Sequence, residues 1–426
     1  MILLVFLLSL AAERAAGQEK ETVSLAQCRG WARENYPLVR RYGLIDKVEE
    51  SSLSGAGKAL LPQLAVNAKA SYQSEVTRLP FDAEAMSALI PGFNVPALGK
   101  DQYQASAEVT QTVWDGGAVR AARKAIRAEA VADRRQLDSE LYALNGRVNQ
   151  VFFGCLLQDE LIRRNELLQK EWQINLDRID AMTENGTANL SDRESVEVEL
   201  LNARQKAVEL EASRAAFGQM LTALTGHSVE GIVLEMPPLP NNNFSVEINR
   251  PELRAFEAQS TLAEARNRQI DAGLMPRMGA FVQGGYGRPG LNMLEDGFGA
   301  FYVAGLRLSW NIGKLYTLKS DRSKVGIALK EIDARRETFL FNTRLQLLQE
   351  DTEIHKMQAL VQSDEEIIRL RTRLKEVAEA KLANGVISVT DLIREVNAED
   401  MTRQSATIHR IQQLMAAYAK RLTVND

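Results

Sequence analysis

Two cysteines and three histidines in 426 residues are too few for a disulfide framework. His227, His355 and His409 are scattered, and no His-Glu-x-x-His pattern or cysteine pair at ligand spacing accompanies them. Neither sign of charge dominates: 52 basic and 56 acidic residues leave a net −4, which speaks against a nucleic-acid binder. Proline is sparse, and its placement matters more than its count of 11. None lies between Pro96 and Pro237 and none after Pro289, so two stretches of over a hundred residues lack a helix breaker. Long apolar runs are also missing beyond Met1–Ala12, so no later segment reaches the roughly 18 apolar residues of a spanning helix.

Nucleotide motifs are incomplete. Gly55-Ala56-Gly57-Lys58 resembles the end of a phosphate loop, but the first glycine is absent and Ala59 stands where Ser or Thr is required. Gly284-Gly285-Tyr286-Gly287 falls on a strand pattern and does not open a helix, so it is no dinucleotide fingerprint. No enzyme and no cofactor is expected.

The apolar run at the start, followed by Ala15, Ala16 and Gly17, reads as a signal peptide over residues 1–17, although it lacks the usual basic residue at its head; a buried first helix is the other reading. Leu25 three residues before Cys28 admits lipid attachment. Gln27 and the amphipathic series Leu25, Cys28, Trp31, Ala32 oppose it.

The chain resembles itself. Pro37 and Pro62 recur as Pro251 and Pro276, both displaced by 214 positions. Trp114-Asp115-Gly116-Gly117 recurs as Trp310-Asn311-Ile312-Gly313, displaced by 196, and Asn185-Gly186 with Asp192 recurs as Asn384-Gly385 with Asp391, displaced by 199. The expected organisation is a first repeat over 18–235, a proline-rich linker over 236–244 and a second repeat over 245–426. Each repeat reads helix, strand, strand, long helix, helix. The first has strands near 63–74 and 102–114 and helices near 118–185 and 190–226; the second has strands near 277–287 and 300–311 and helices near 315–384 and 389–423.

Alternation sets the strands. Leu64, Val66, Ala68, Ala70 and Tyr72 interleave with Asn67, Lys69, Ser71 and Gln73, and Tyr302, Ala304, Leu306 and Leu308 do the same around Arg307. The 68 residues between Gly117 and Gly186 would make a helix of about 100 Å. Leu137, Leu141, Leu144, Val148, Val151 and Cys155 step by four and three, the spacing of coiled-coil packing, which favours Cys155 as a buried free thiol, the other reading being a bond to Cys28. Four amphipathic strands leave two edges, and open edges do not survive in lipid, so further strands must be borrowed from other copies.

The order of elements, the Trp114-Asp115-Gly116-Gly117 turn, the Gly-x5-Asp turns at Gly186–Asp192 and Gly385–Asp391, and the opening Val23-Ser24-Leu25 through Asn35-Tyr36-Pro37 together resemble the TolC-like outer-membrane efflux family across essentially the whole mature chain. The resemblance implies a mainly α fold with a β-barrel portion: a homotrimer with a twelve-strand barrel in outer-membrane lipid of a Gram-negative bacterium, continued by a long α-helical barrel in the periplasm. It also implies a passive exit duct served by a periplasmic adaptor and an inner-membrane pump such as a resistance-nodulation-division transporter. By the same resemblance Gly186, Thr187, Asp192, Gly385, Val386 and Ser388 mark the adaptor-docking tips. Some members carry two aspartates three residues apart at the closed periplasmic end; here Asp391 matches the first and Arg394 stands at the second. Asp391 with Arg394 is then either an inter-subunit gate or, for Asp391, a helix cap beside Ser388 and Thr390. The competing reading is a periplasmic coiled-coil spacer without a pore. The cargo stays open among drugs, metal ions, lipids and polypeptides.

Overall fold

The computed structural model describes residues 22–77, 90, 99–240, 247–292 and 295–425. The expected signal segment, most of the loop between residues 75 and 101, and the linker beyond Pro240 lie outside these residues. The element order is β1 (Thr22–Val23), α1 (Leu25–Asn35), a 3₁₀ turn (Pro37–Arg40), α2 (Arg41–Lys58), β2 (Gln63–Tyr72), β3 (Asp101–Trp114), α3 (Ala118–Glu184), α4 (Leu190–Thr225) and β4 (Val233–Leu234). It continues with α5 (Pro251–Gly273), β5 (Arg277–Arg288), β6 (Gly299–Ser309), a 3₁₀ turn (Ile312–Lys314), α6 (Leu315–Ala383) and α7 (Val389–Val424). The chain is mainly helical, and α3 and α6 run unbroken for 67 and 69 residues. The proline-free stretches allow this.

Two compact units divide the described residues: those within 22–42, 135–255 and 335–425 form the helical unit, and those within 43–134 and 256–334 form the sheet unit. In the sheet unit the strands lie in the order β2-β3-β5-β6, every pair antiparallel. Register sets the faces. Val66 opposes Ala107, Ala107 opposes Gly284, and Gly284 opposes Tyr302, while Leu64, Val109, Val282 and Ala304 form the next such row. These residues share one face, and it is bare: Val66, Tyr302 and Leu306 are 75%, 79% and 73% exposed. The other face carries Asn67, Ser106 and Gly285 in one row, with Glu108 and Gln283 in another. There Arg307 pairs with Glu108 at 3.1 Å and lies over the Phe281 ring. Gly285 is dictated by a close approach, since a Cβ there would stand 2.5 Å from the Phe301 ring and 2.8 Å from the Ala105 carbonyl oxygen.

The turn entering α3 explains its own residues. Asp115 accepts from the backbone N–H groups of Gly117 (2.8 Å) and Val119 (2.7 Å), capping the helix. Gly116 and Gly117 both adopt positive φ, and a Cβ on Gly116 would meet the Met275 Cβ at 2.5 Å. The corresponding turn before α6 has Asn311 and Ile312 in place of Asp115 and Gly116. It enters its helix through the 3₁₀ turn Ile312–Lys314, and Trp310 is fastened by its indole N–H to the Leu274 carbonyl oxygen at 2.9 Å.

The helical unit has two apolar cores. One gathers Cys28, Val148, Phe152, Phe153, Cys155, Leu221 and Ile411 from α1, α3, α4 and α7. Both cysteines are buried free thiols, and burial pushes each up to about 11. All six residues of the stripe from Leu137 to Cys155 are buried. Replacing Asp115 by alanine should cost about 1 kcal/mol through the lost cap. Gly116→Val should cost more, because it adds a positive-φ penalty and a clash; thermal unfolding of the purified protein measures both.

Candidate conduit surfaces and helix-turn tips

The second core of the helical unit joins the ends of two helical hairpins. Trp172 and Ile179 of α3, Val196 and Leu200 of α4, Leu382 of α6, and Val389, Leu392 and Val396 of α7 pack together. This core holds the α3–α4 and α6–α7 turns on one support. Burial of Trp172 and Ile179 at 1% and 0% exposure fixes the α3 side, and Leu392 and Val396 at 0% fix the α7 side.

Both turns are built alike. Gly186 (φ +69°) ends α3, and the backbone N–H of Thr187 donates to the Met182 carbonyl oxygen at 2.8 Å. Gly385 (φ +66°) ends α6, and the Val386 N–H donates to the Lys381 carbonyl oxygen at 2.9 Å. Each is a glycine-terminated helix end, in which only glycine takes the left-handed position without strain. Asp192 then receives the Asn189 N–H at 3.1 Å, and Arg193 ties Asp180 and Glu197, each at 2.6 Å. In the second turn Ser388 and Asp391 form a reciprocal box: the Asp391 N–H donates to Ser388 Oγ at 3.2 Å, and Asp391 Oδ2 accepts from the Ser388 hydroxyl at 2.7 Å and its N–H at 3.2 Å.

Asp391 is therefore a cap residue within its own chain. Hydrogen bonds from the Ser388 side chain and backbone, helped by Arg394, hold its carboxyl below the usual aspartate value. Arg394 lies one turn on and meets Asp391 at 3.3 Å, with its side chain 70% exposed. Gly186, Thr187, Gly385, Val386 and Ser388 are all exposed, and Asp192 is half-buried. Leu190 and Val386 present apolar side chains to solvent, at 62% and 68% exposure.

Spacing did not signal the buried ion cluster above the tips. Glu399 of α7 is 2% exposed and accepts from Lys375 at 2.7 Å, the Thr372 hydroxyl at 2.7 Å and Arg403 at 2.6 Å. Lys375 also reaches Glu171 of α3 at 2.7 Å, so the cluster bridges both hairpins. Burial pushes Glu399 up, but the donations from Lys375, Thr372 and Arg403 outweigh it and bring the carboxyl down to about 2. Elsewhere on α6 and α7, His409 Nδ1 and Asp364 Oδ2 meet at 2.7 Å. Among the described residues no cluster of His, Cys, Asp and Glu is arranged to hold a metal, and no helix is long and apolar enough to cross a membrane.

Residues 45–227 match the outer membrane efflux protein family. No curated protein matches the chain. Among solved structures the outer membrane protein VceC of Vibrio cholerae is similar at 15% identity and TM-score 0.64, covering 94% of each chain. The open-state MtrE outer membrane channel of Neisseria gonorrhoeae matches at 16% identity and TM-score 0.62, over 94% of this chain and 88% of that one. The CmeC outer membrane channel of Campylobacter jejuni matches at 13% identity and TM-score 0.62, over 96% and 89%. At these identities the likeness is one of fold.

A folded carboxyl held near 2, against an ordinary glutamate value of about 4.3, contributes stability that is full above the unfolded value. That stability is lost as pH falls through the folded value. Glu399→Gln should lower stability by about 3 kcal/mol at pH 7, because Lys375 and Arg403 lose their shared carboxylate. The gap to wild type should narrow from about pH 4 downward, as read by denaturant unfolding at a series of pH values.

Proposed function

We propose, for a chain whose residues 45–227 match the outer membrane efflux protein family and whose fold is that of outer-membrane channels, that it is the outer-membrane exit duct of a tripartite efflux or secretion system. Three copies each contribute the four strands β2, β3, β5 and β6 to a twelve-strand barrel in outer-membrane lipid of a Gram-negative bacterium. Their long helices form the periplasmic tunnel, with the two repeats supplying matching walls. The protein conducts passively what an inner-membrane pump, such as a resistance-nodulation-division transporter, delivers through a periplasmic adaptor.

One observation carries this reading: a four-strand sheet of 10, 14, 12 and 11 residues, apolar and exposed on one face, polar on the other. Those lengths suit strands that cross a bilayer at a tilt. A sheet with an apolar face turned to lipid has to close, because a bare edge in hydrocarbon costs several kcal/mol per unpaired group. A coiled-coil spacer has no use for such a surface.

The tip residues Gly186, Thr187, Asp192, Gly385, Val386 and Ser388 form the adaptor-docking surface in this reading. Support comes from exposed Leu190 and Val386 beside rigidly capped helix ends. Asp391 and Arg394 form the periplasmic gate, where three copies of each around the axis set up alternating charge. Asp391 also caps α7: Oδ2 faces Ser388, and Oδ1 meets Arg394 of the same chain at 3.3 Å.

Purified protein should have the mass of a trimer and insert small, cation-preferring conductances into planar bilayers. A monomer that inserts no channels would return the chain to the spacer reading. Alanine at both Asp391 and Arg394 should raise single-channel conductance, and an unchanged value would remove the gate. Because Ser388 keeps Asp391 charged to lower pH than usual, cation preference should persist on acidification past about pH 4, the ordinary aspartate value.

A further inference from the structure

A cavity of about 600 Å³ opens in the helical unit where α1, α3, the start of α5 and the end of the chain come together. Its charged lining is almost wholly cationic. Arg29 and Arg33 come from α1, Arg135 from α3 and Arg254 from α5, against one carboxylate, Asp138.

Among the described residues the nearby carboxylates are already engaged. Asp138 accepts from the Tyr42 hydroxyl and pairs with Arg135 at 3.1 Å. The nearby Glu140 pairs with Arg41 at 3.2 Å, and Glu252 is held by Arg250. Arg33 reaches the Tyr42 hydroxyl, a neutral partner, and Arg254 has no ion-pair partner among the described residues. Arg29 donates from Nε to the Asn149 side-chain oxygen at 2.9 Å, but its Nη2 is buried and meets no acceptor among the described residues. Burial disfavours the charged form of this guanidinium, with Arg421 adding to the effect. A buried donor with no acceptor costs about 1–3 kcal/mol, more for a charged group. Among the described residues, then, no anion meets Arg29 Nη2, and the exposed Arg33 and Arg254 beside it have no ion-pair partner.

We propose that this cavity is a binding site for a phosphate group, carried by a free solute or by a lipid headgroup. Three guanidinium forks offer more donors than a carboxylate's two oxygens and single charge can use, and a phosphate dianion meets them with more oxygens and twice the charge. The volume exceeds that of bare phosphate. Leu141, Pro251 and the Tyr142 ring supply an apolar wall for the rest of a phosphoester; the Tyr142 hydroxyl is committed to the Leu422 carbonyl oxygen at 2.7 Å. Gly30 lines the same space, and a Cβ there meets nothing within 4 Å, so the backbone of α1 leaves the approach open.

The test is calorimetric titration of the full-length protein in neutral detergent at low salt, with inorganic phosphate and, separately, dihexanoyl phosphatidic acid, whose headgroup is a phosphate monoester. One saturable site per chain is expected, weakened roughly tenfold by Arg254→Gln, as the loss of a charge-assisted contact implies. The double variant Arg33→Gln/Arg254→Gln should abolish it. Gly30→Glu places the chain's own carboxylate in the cavity and should also abolish binding, whereas Gly30→Ala should bind as wild type; this pair keeps the test decisive if the arginine variants fold poorly. Binding of inorganic phosphate supports a free solute, and binding of the lipid alone supports a headgroup. Failure of both ligands to bind wild type, or unchanged binding in Gly30→Glu, would overturn the proposal.

Discussion

Backbone hydrogen bonding at the two outer edges of the sheet is the constraint on which the rest depends. Among the described residues β2 and β6 each pair on one side only, with β3 and β5 respectively. Beside those edges lies a face that exposes Leu64, Val66, Val282, Tyr302 and Leu306. In water such a surface would invite indiscriminate pairing. In lipid the apolar face is satisfied, but the edges are not until the sheet closes on itself. The described residues of one chain supply a four-strand sheet, below the eight strands at which bacterial outer-membrane barrels begin. On the proposed outer-membrane reading, the sheet therefore needs strands from further copies.

Much of this was legible because a strand declares itself by a period of two. Val66, Ala68 and Ala70 interleaved with Asn67, Lys69 and Ser71 fixed both the strand and its faces, and the register places these sets on opposite sides. The long helices were legible from the distribution of proline, and the stripe from Leu137 to Cys155 from its four-three steps. Asp115 read as part of a turn, and its two backbone bonds now give the reason. The tips were legible as glycine-ended turns, but their chemistry was not. Whether Asp391 caps a helix depends on where the Ser388 hydroxyl points, which spacing suggests without deciding.

What stayed hidden was the meeting of charges from distant segments. Glu171, Lys375 and Glu399 occur on three helices, and each looks in sequence like one of many charges on a solvated helix face. Only the pairing of α3 with α6 and α7 brings them together, and no local periodicity reports that. The arginines of the cavity, Arg29, Arg33 and Arg254, were invisible for the same reason. They lie on two helices more than two hundred positions apart in sequence.

The buried cluster has a physical consequence for assembly of the helical unit. An apolar seam of Leu, Val, Ile and Ala, such as the one joining Ile179, Leu200, Leu382 and Leu392, tolerates sliding by a heptad, because each apolar side chain finds a similar one a turn or two away. Glu399 does not tolerate it. Its carboxylate depends on Lys375 and Thr372 at 2.7 Å and Arg403 at 2.6 Å, and Lys375 depends in turn on Glu171. Sliding one hairpin past the other would leave these charges buried without partners, at a cost of about 3–5 kcal/mol. The height at which the two hairpins meet, and with it the level of the Gly186 and Gly385 turns, is therefore fixed by charge while the packing energy comes from the apolar seam. Two tips built alike but 199 positions apart are brought to a common support by a contact that neither tip contains.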